Sequence, residues 1–487
     1  MVRPRSWVLP LALVLAAAVA LAGCAVGPNY KRPPLPPTAG YGPLAAAPGG
    51  PALVAGADVP GDWWRVFKSD DLDALVGQAL ANNQTITAAR AALKAAHEQT
   101  LAQKGFYYPT VAASIQPSRA QFAPDLASPT ESGVSLYTLT TSQLTVSYTP
   151  DLFGANRRAV ESLAAQEDAQ RFELEAARVT IATNVVAAAV QDASLRAQID
   201  ATKAIIAEQQ RVLDSFRRQL LLGNASAADI AAQEALLAQS EAALPPLQRQ
   251  FEAGRDLLAD LVGRTPAQPV LDSFSLDALT LPGALPISVP ARLVDQRPDV
   301  RMAEAQLHSA SAQIGVAVAA RLPNLDIEAA AGSATLDLGL SLSSAATFWS
   351  VAGTLVQPIF EGGTLLHRQH AAEALYDQAK AQYESTVVGA FQNTADALHA
   401  LKTDADAVAA ADRAEAAATR SLQIATRQHA LGDISAVALL TAEQAEAQAR
   451  IGLVQAKAAR YADVAGLFQA LGGGWWAAPS SQPAAGS

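Results

Sequence analysis

Two runs of chain govern what this sequence can become. Residues 155–222 contain neither glycine nor proline, and residues 364–431 are interrupted only by Gly389. Each run is 68 residues long, and at about 1.5 Å per residue an unbroken helix of that length reaches roughly 100 Å. No compact domain holds such a rod, so the fold must be built around long, packed helices. Alanine-rich, glycine-poor stretches favour helix throughout. Apolar or small residues recur at Phe172, Ala176, Val179, Thr183, Val186 and Val190, and resume at Leu195, Ile199, Ile206, Leu213, Phe216 and Leu220. Steps of three and four, or doubles of them, predict a coiled-coil seam rather than a globular face.

The runs belong to a chain written twice. Pro150 and Gly154 in "TPDLFGANRRA" return as Pro358 and Gly362 in "QPIFEGGTLLH", 208 positions on. Gly223 in "RRQLLLGNASAADI" returns as Gly432 in "TRQHALGDISAVAL", 209 positions on. "GFYYPTV" (105–111) matches "AARLPNL" (319–325). Each half therefore reads helix, proline, strand, long loop, strand, proline, very long helix, glycine turn, helix. Gly223 and Gly432 stand where a helix end wants a left-handed residue, so each long helix reverses into a partner, 224–262 or 433–471. Pro245 and Pro246 predict a break midway along the first partner. The organisation expected is a signal peptide over 1–23, an extended segment over 24–60, repeat 1 over 61–270, repeat 2 over 271–473 and a disordered tail over 474–487.

The strands alternate. Val111, Ala113 and Ile115, then Leu144, Val146 and Tyr148, then Leu325 and Ile327, then Trp349, Val351 and Leu355 each share one side of a strand, with more polar residues between them. Such alternation fits a half-buried sheet or a barrel between lipid and a wet lumen. Pattern alone favours the ordinary sheet, and the secretory start of the chain favours the barrel. Four strands cannot close one, because about eight is the practical minimum; a barrel requires strands pooled from several copies.

That secretory start is Arg3 and Arg5, then an apolar run from Trp7 to Ala20, then Ala22, Gly23 and Cys24, the only cysteine. This is the layout of a signal peptide, and it resembles a lipobox in which Cys24 becomes the lipidated first residue. Ala25 follows where an Asp would suggest inner-membrane retention. With Cys24 acylated, no thiol remains for a disulfide or for thiolate metal binding. Beyond the signal no run of 18 apolar residues occurs, so any membrane crossing must be a closed barrel. A net charge of −10, from 45 acidic against 35 basic residues, disfavours nucleic acid as a partner. The six histidines are scattered apart from His367 and His370, a pair read as a solvated helix face. No phosphate loop, nucleophile elbow or zinc spacing is present, so no enzyme, cofactor or metal site is expected.

The chain resembles the TolC-like outer-membrane factors, in the OprM-like, NodT-type lipoprotein branch. "CAVGPNYKRP" (24–33), "DWWRVFKSDDLDALVGQALANN" (62–83), "RLVDQRPDVRMAEAQLHSASAQIGVAVAARLPNL" (292–325) with Arg297-Pro298-Asp299 at its centre, and "LVQPIFEGG" (355–363) carry the resemblance in order. It implies a mainly α fold with a small β part, forming a homotrimer whose 12-stranded β-barrel continues as a long α-helical barrel. It also implies an efflux duct fed by an inner-membrane RND-type pump through a periplasmic membrane-fusion adaptor, localised to the outer membrane and its lipid. The adaptor would meet the hairpin tips, Gly223, Asn224 and Ser226 in one half and Gly432, Asp433 and Ser435 in the other. The periplasmic gate would lie at Val437, Thr441 and Gln444. There the chain departs from the family: "LLTAEQ" (439–444) puts Thr441 and Gln444 where an Asp and an Arg help close the tube. Glu443 or Arg427 could restore an ionic lock only by rotating inward. A type I protein-secretion channel and a poreless periplasmic coiled-coil lipoprotein are the alternative readings.

Overall fold

The computed structural model describes residues 25–34, 52–121, 136–268, 270, 274–287, 295–336 and 346–477. The expected signal peptide, Cys24 and residues 478–487 of the expected tail lie outside the described residues. Among the described residues the chain runs β1 (Ala52–Ala55), α1 (Asp70–Asn82), α2 (Gln84–Lys104), β2 (Thr110–Gln121), β3 (Leu136–Tyr148), α3 (Ala155–Leu221), α4 (Ala227–Leu261), β4 (Ala284–Ile287), α5 (Pro298–Ala319), β5 (Asn324–Thr335), β6 (Thr347–Val356), α6 (Thr364–Leu431) and α7 (Ala436–Ala470). Packing divides it into two units. One comprises Met1–Pro33, Leu93–Ala169 and Ala303–Tyr383; the other comprises Pro34–Ala92, Gln170–Met302 and Glu384–Ser487.

The first unit contains a four-stranded antiparallel sheet in the order β2-β3-β5-β6. The two hairpins are therefore joined by β3 against β5, with β2 and β6 as open edges. The register aligns the alternating patterns of all four strands. Val111 pairs with Val146 and Ala113 with Leu144. Val146 pairs with Ala329 and Tyr148 with Ile327. Ala329 pairs with Val351, and Leu325 with Leu355. Residues directly opposite project to the same side, so one face is apolar from edge to edge, with Trp349 79% exposed on it. The other face carries Gln143, Thr145, Asp326 and Glu328. A one-residue slip in any strand would have scattered these sets.

The second unit contains most of the long helices. Phe172, Val179, Thr183, Val186, Val190, Leu195, Ile199, Leu213 and Phe216 are buried along α3, as the seam predicts. Ala176 and Ile206 are only half-buried, Ile205 taking the buried place beside the latter, and Leu220 departs from the seam, 40% exposed, because α3 ends one residue later and its last turn has little to pack against. The predicted break at Pro245-Pro246 is also absent: α4 is assigned as one helix through both. Both prolines and residues 241 and 242, whose carbonyls lose their N–H donors, are exposed. Water can satisfy those carbonyls, so the helix continues at small cost instead of stopping. Two short strands went unforeseen. β1, inside the segment expected to be extended, pairs in parallel with β4 of the second half.

The far ends of α4 and α7 show why the Arg-Pro-Asp motif exists. Arg297 is buried, donates from Nη1 to the Ala470 carbonyl at 2.8 Å, and grips Asp299 at 3.0 and 2.7 Å. A cation thus caps the negative end of α7, while Pro298 opens α5 at a position that needs no N–H. Asn83 does the same job in the first half, donating from Nδ2 to the Leu261 carbonyl at 3.0 Å. Residues 474–476, expected as the start of a tail, are packed instead. Trp475 donates from Nε1 to the Gln296 carbonyl at 2.6 Å and meets Phe172 edge to face. A Cβ on Gly474 would lie 2.2 Å from the Pro60 carbonyl oxygen, so only glycine fits there. Trp63 completes this core by stacking on Phe468 with centroids 5.1 Å apart.

Candidate functional site

At the hairpin tips the two halves use one turn geometry. Gly223 has φ 75° and Gly432 has φ 81°. Asn224 N–H donates to the Gln219 carbonyl and Gly223 N–H to the Leu220 carbonyl; Asp433 and Gly432 repeat both bonds with Gln428 and His429. This pair of bonds is the Schellman motif, which satisfies carbonyls that a helix end would otherwise leave free. The side chain of Ser226 accepts from Asp229 N–H, and Asp229 accepts in return from the Ser226 backbone, a complete capping box. Those bonds from Ser226, together with nearby His429, hold the Asp229 carboxyl below the usual carboxylate range. Ser435 caps α7 through Ala438 N–H at 3.3 Å, but the third position is alanine and no box forms. All six predicted tip residues are exposed, flanked by Leu221 (87% exposed), Leu222 and Leu431. Phe216 and His429 meet edge to face at 5.4 Å and bring the two tips together.

Just beyond the second tip, Val437, Thr441 and Gln444 lie on one exposed stripe of α7, with Val437 60% exposed. The Thr441 hydroxyl donates to the Val437 carbonyl of its own helix at 2.9 Å. The Thr441 hydroxyl proton is therefore committed within its own helix, and Gln444 is exposed beside it. The other side of α7 buries Ala436, Leu439, Glu443 and Glu446. Glu443, considered from sequence as a residue that could rotate inward, is thus turned into the protein. Burial and the neighbouring Glu208 push its carboxyl up to about 7. Glu446 is held by Arg450; sequence reasoning missed this buried acidic pair because Glu443 looks like any surface residue of an alanine-rich helix.

In the sheet unit, Asp326 accepts from the Thr149 hydroxyl at 2.6 Å and from Asn324 at 3.1 Å on the polar face. The segment after Cys24 is held by Arg158, which sequence reasoning also missed. Its guanidinium donates to the Val26 and Gly27 carbonyls and to Asn29, while pairing with Glu161 at 2.7 Å. Tyr30 stacks on His308, 4.4 Å between centroids, and His308 in turn bonds Glu161. His367 and His370 meet edge to face at 5.9 Å. No described helix is long and apolar enough to cross a membrane.

Comparison with known proteins agrees with this arrangement. A family model described as outer membrane efflux protein matches residues 75–264 and 289–473. The toluene efflux pump outer membrane protein TtgF of Pseudomonas putida is 28% identical over 472 residues, covering 95% of this chain and 96% of the relative. The cation efflux system protein CusC of Escherichia coli is 27% identical, covering 94% and 97%. The solved outer-membrane channel OprN superposes with a TM-score of 0.85 at 26% identity, covering 93% of this chain and 100% of that one.

Proposed function

Because the chain belongs to the outer membrane efflux protein family, as an outer-membrane channel of an efflux system, we propose that three copies pool their sheets into one 12-stranded barrel. The duct is passive and carries small molecules delivered by an inner-membrane pump, of the RND type, through a periplasmic adaptor. The observation that carries this reading is the sheet itself. Its apolar face is continuous over four strands, and its edges, β2 and β6, have no strand partner among the described residues. Open edges invite pairing, and in lipid every backbone group needs a partner. Closure by further copies satisfies both demands, with Trp349 and Val351 toward lipid and Asp326 and Glu328 toward water.

The remaining parts take roles consistent with that duct. The exposed tips at Gly223, Asn224, Ser226, Gly432, Asp433 and Ser435, with Leu221, Leu222 and Leu431 beside them, are the adaptor-docking surface. Val437, Thr441 and Gln444, once from each copy, form the narrow periplasmic ring. Cys24 carries the lipid anchor, and the Arg158 clamp holds the segment that follows it against the sheet unit. Cysteines at Ala112 in β2 and Ala352 in β6 test the assembly. Oxidation should yield covalent dimers and trimers from membranes, with a mature N-terminus of lipid-modified Cys24 by mass spectrometry. Monomers alone refute the pooled barrel, and an unmodified terminus refutes the anchor.

A further inference from the structure

Behind the gate stripe, α7 presses an acid into a cavity that offers it no cation. The cavity has room of about 10 Å³ and is lined by Ile205, Glu208 and Gln209 of α3, Leu422 of α6, and Glu443 and Glu446 of α7. Glu443 is only 6% exposed, and its Oε2 has no hydrogen-bond partner. The Oε1 of Gln209, itself buried, has none either. Two acceptors therefore share a pocket short of donors. Among the described residues, none of the groups around it donates to either oxygen. Glu208 from α3 is a like charge. Leu422 is what α6 contributes. Gln233 from α4 commits its Nε2 to the Gln209 backbone carbonyl. On α7 itself Arg450 is engaged by Glu446.

The duplication makes the deficit specific to this half. With the 209-residue offset of Gly223 and Gly432, Glu443 corresponds to Glu234. Glu234 is exposed and paired with Arg217 at 2.9 Å. The counterpart of Arg217 is Thr426, whose hydroxyl donates to the Leu422 carbonyl. The same glutamate has an arginine in one hairpin and none in the other.

We propose that Glu443 is a proton-operated latch: protonated, it seats the tip end of α7 against α3, and on losing the proton it drives that end outward and opens the gate. The proposal rests on the reading of Val437, Thr441 and Gln444 as the gate. A proton gives Glu443 the donor that the cavity lacks, and it removes the repulsion with Glu208. Since the seated carboxyl titrates near 7 against an ordinary 4.5, seating is fully favoured below about pH 4.5. It weakens as pH rises through the seated value and is flat above it. Asp404, whose carboxyl is pushed up to about 7 by burial and by the neighbouring Asp463 of α7, with Arg460 beside it, also responds in this range, so variants rather than pH alone must identify the group.

Single-channel conductance of the reconstituted full-length protein, from pH 5 to pH 8, tests the latch alongside amide exchange in peptides covering 436–446, corrected for intrinsic exchange rates. The closed-to-open ratio of wild type should fall by about one to two orders of magnitude per latch over that range, and exchange near the tip should rise with it. Glu443→Gln, whose amide supplies the missing donor, should hold the low-pH behaviour at pH 8. Glu208→Gln should move the midpoint to lower pH. Exchange that responds to pH and to Glu443→Gln without a conductance change supports the latch and refutes the gate reading. A Glu443→Gln protein that keeps the wild-type pH response in both measurements overturns the latch.

Discussion

The two helical hairpins descend from one plan, yet they are secured at opposite ends. The first, α3–α4, is fastened at its tip: Ser226 and Asp229 form a full capping box, and Arg217 pairs with Glu234. Its far end is capped by the neutral amide of Asn83. The second, α6–α7, reverses the emphasis. A buried guanidinium, Arg297, grips its far end through Ala470, while its tip has a single serine cap and an acid without a cation. Charge-assisted bonds are about twice as strong as neutral ones. A helix held firmly at one end and loosely at the other pivots at the firm end. The comparison predicts that the second hairpin is the moving part and the first its fixed neighbour.

The largest expected effect comes from the firm end. Arg297→Ala removes the cap of α7 and leaves the Ala470 carbonyl, also touched by Thr394 at 3.3 Å, without its charged donor. Hydrogen bonds to charged groups contribute about 1.5–3 kcal/mol each, so the loss should be roughly 2–3 kcal/mol per copy. Asn83→Ala removes a neutral cap of α4 and the N-cap of α2, worth about 1–2 kcal/mol. Thermal dissociation of the detergent-solubilised protein followed by gel mobility ranks the two. A more damaging Asn83→Ala would reverse the assignment of the firm end.

At the tips the ranking inverts and shrinks. Ser226→Ala dismantles a reciprocal box and should cost about 1 kcal/mol, whereas Ser435→Ala removes one bond and should cost about 0.5 kcal/mol. Amide exchange in the first turns of α4 and α7 reads both locally. Equal protection of the two turns in the wild-type protein would contradict a loose second tip.

Much of this was legible in the sequence, for physical reasons that differ by region. The sheet faces could be read because a strand's period of two leaves no ambiguity once one side is apolar. The turns could be read because Gly223 and Gly432 serve a backbone conformation that few residues adopt. Continuity through Pro245-Pro246 was not legible, since it depends on whether the freed carbonyls face water. Neither was the burial of Glu443. Helical periodicity in an alanine-rich sequence marks a seam only weakly, and a glutamate on that seam shows itself only when α3 and α6 close over it. Arg158 escaped for a related reason: its partners are backbone carbonyls of a segment more than a hundred positions away.

The smallest expected effect is an absence of one, and it probes what the loose tip contains. If closure rests on Val437 and on the amide of Gln444, the ring has no charge for salt to screen. The Thr441 hydroxyl is committed to the Val437 carbonyl, so fewer neutral bonds are available across the ring than its sequence suggests. Neutral bonds contribute about 0.5–1.5 kcal/mol each, enough for a shallow balance that a docked partner shifts. Glu443 does not alter this expectation near pH 5.5, where it is mainly protonated. Conductance recorded at that pH from about 0.1 M to 1 M salt, over which the Debye length shortens from about 10 Å to 3 Å, should show a constant closed fraction after correction for bulk conductivity. A closed fraction that collapses with salt would mean that charges from neighbouring copies, Arg427 among them, hold the ring. The second tip would then be fastened as firmly as the first.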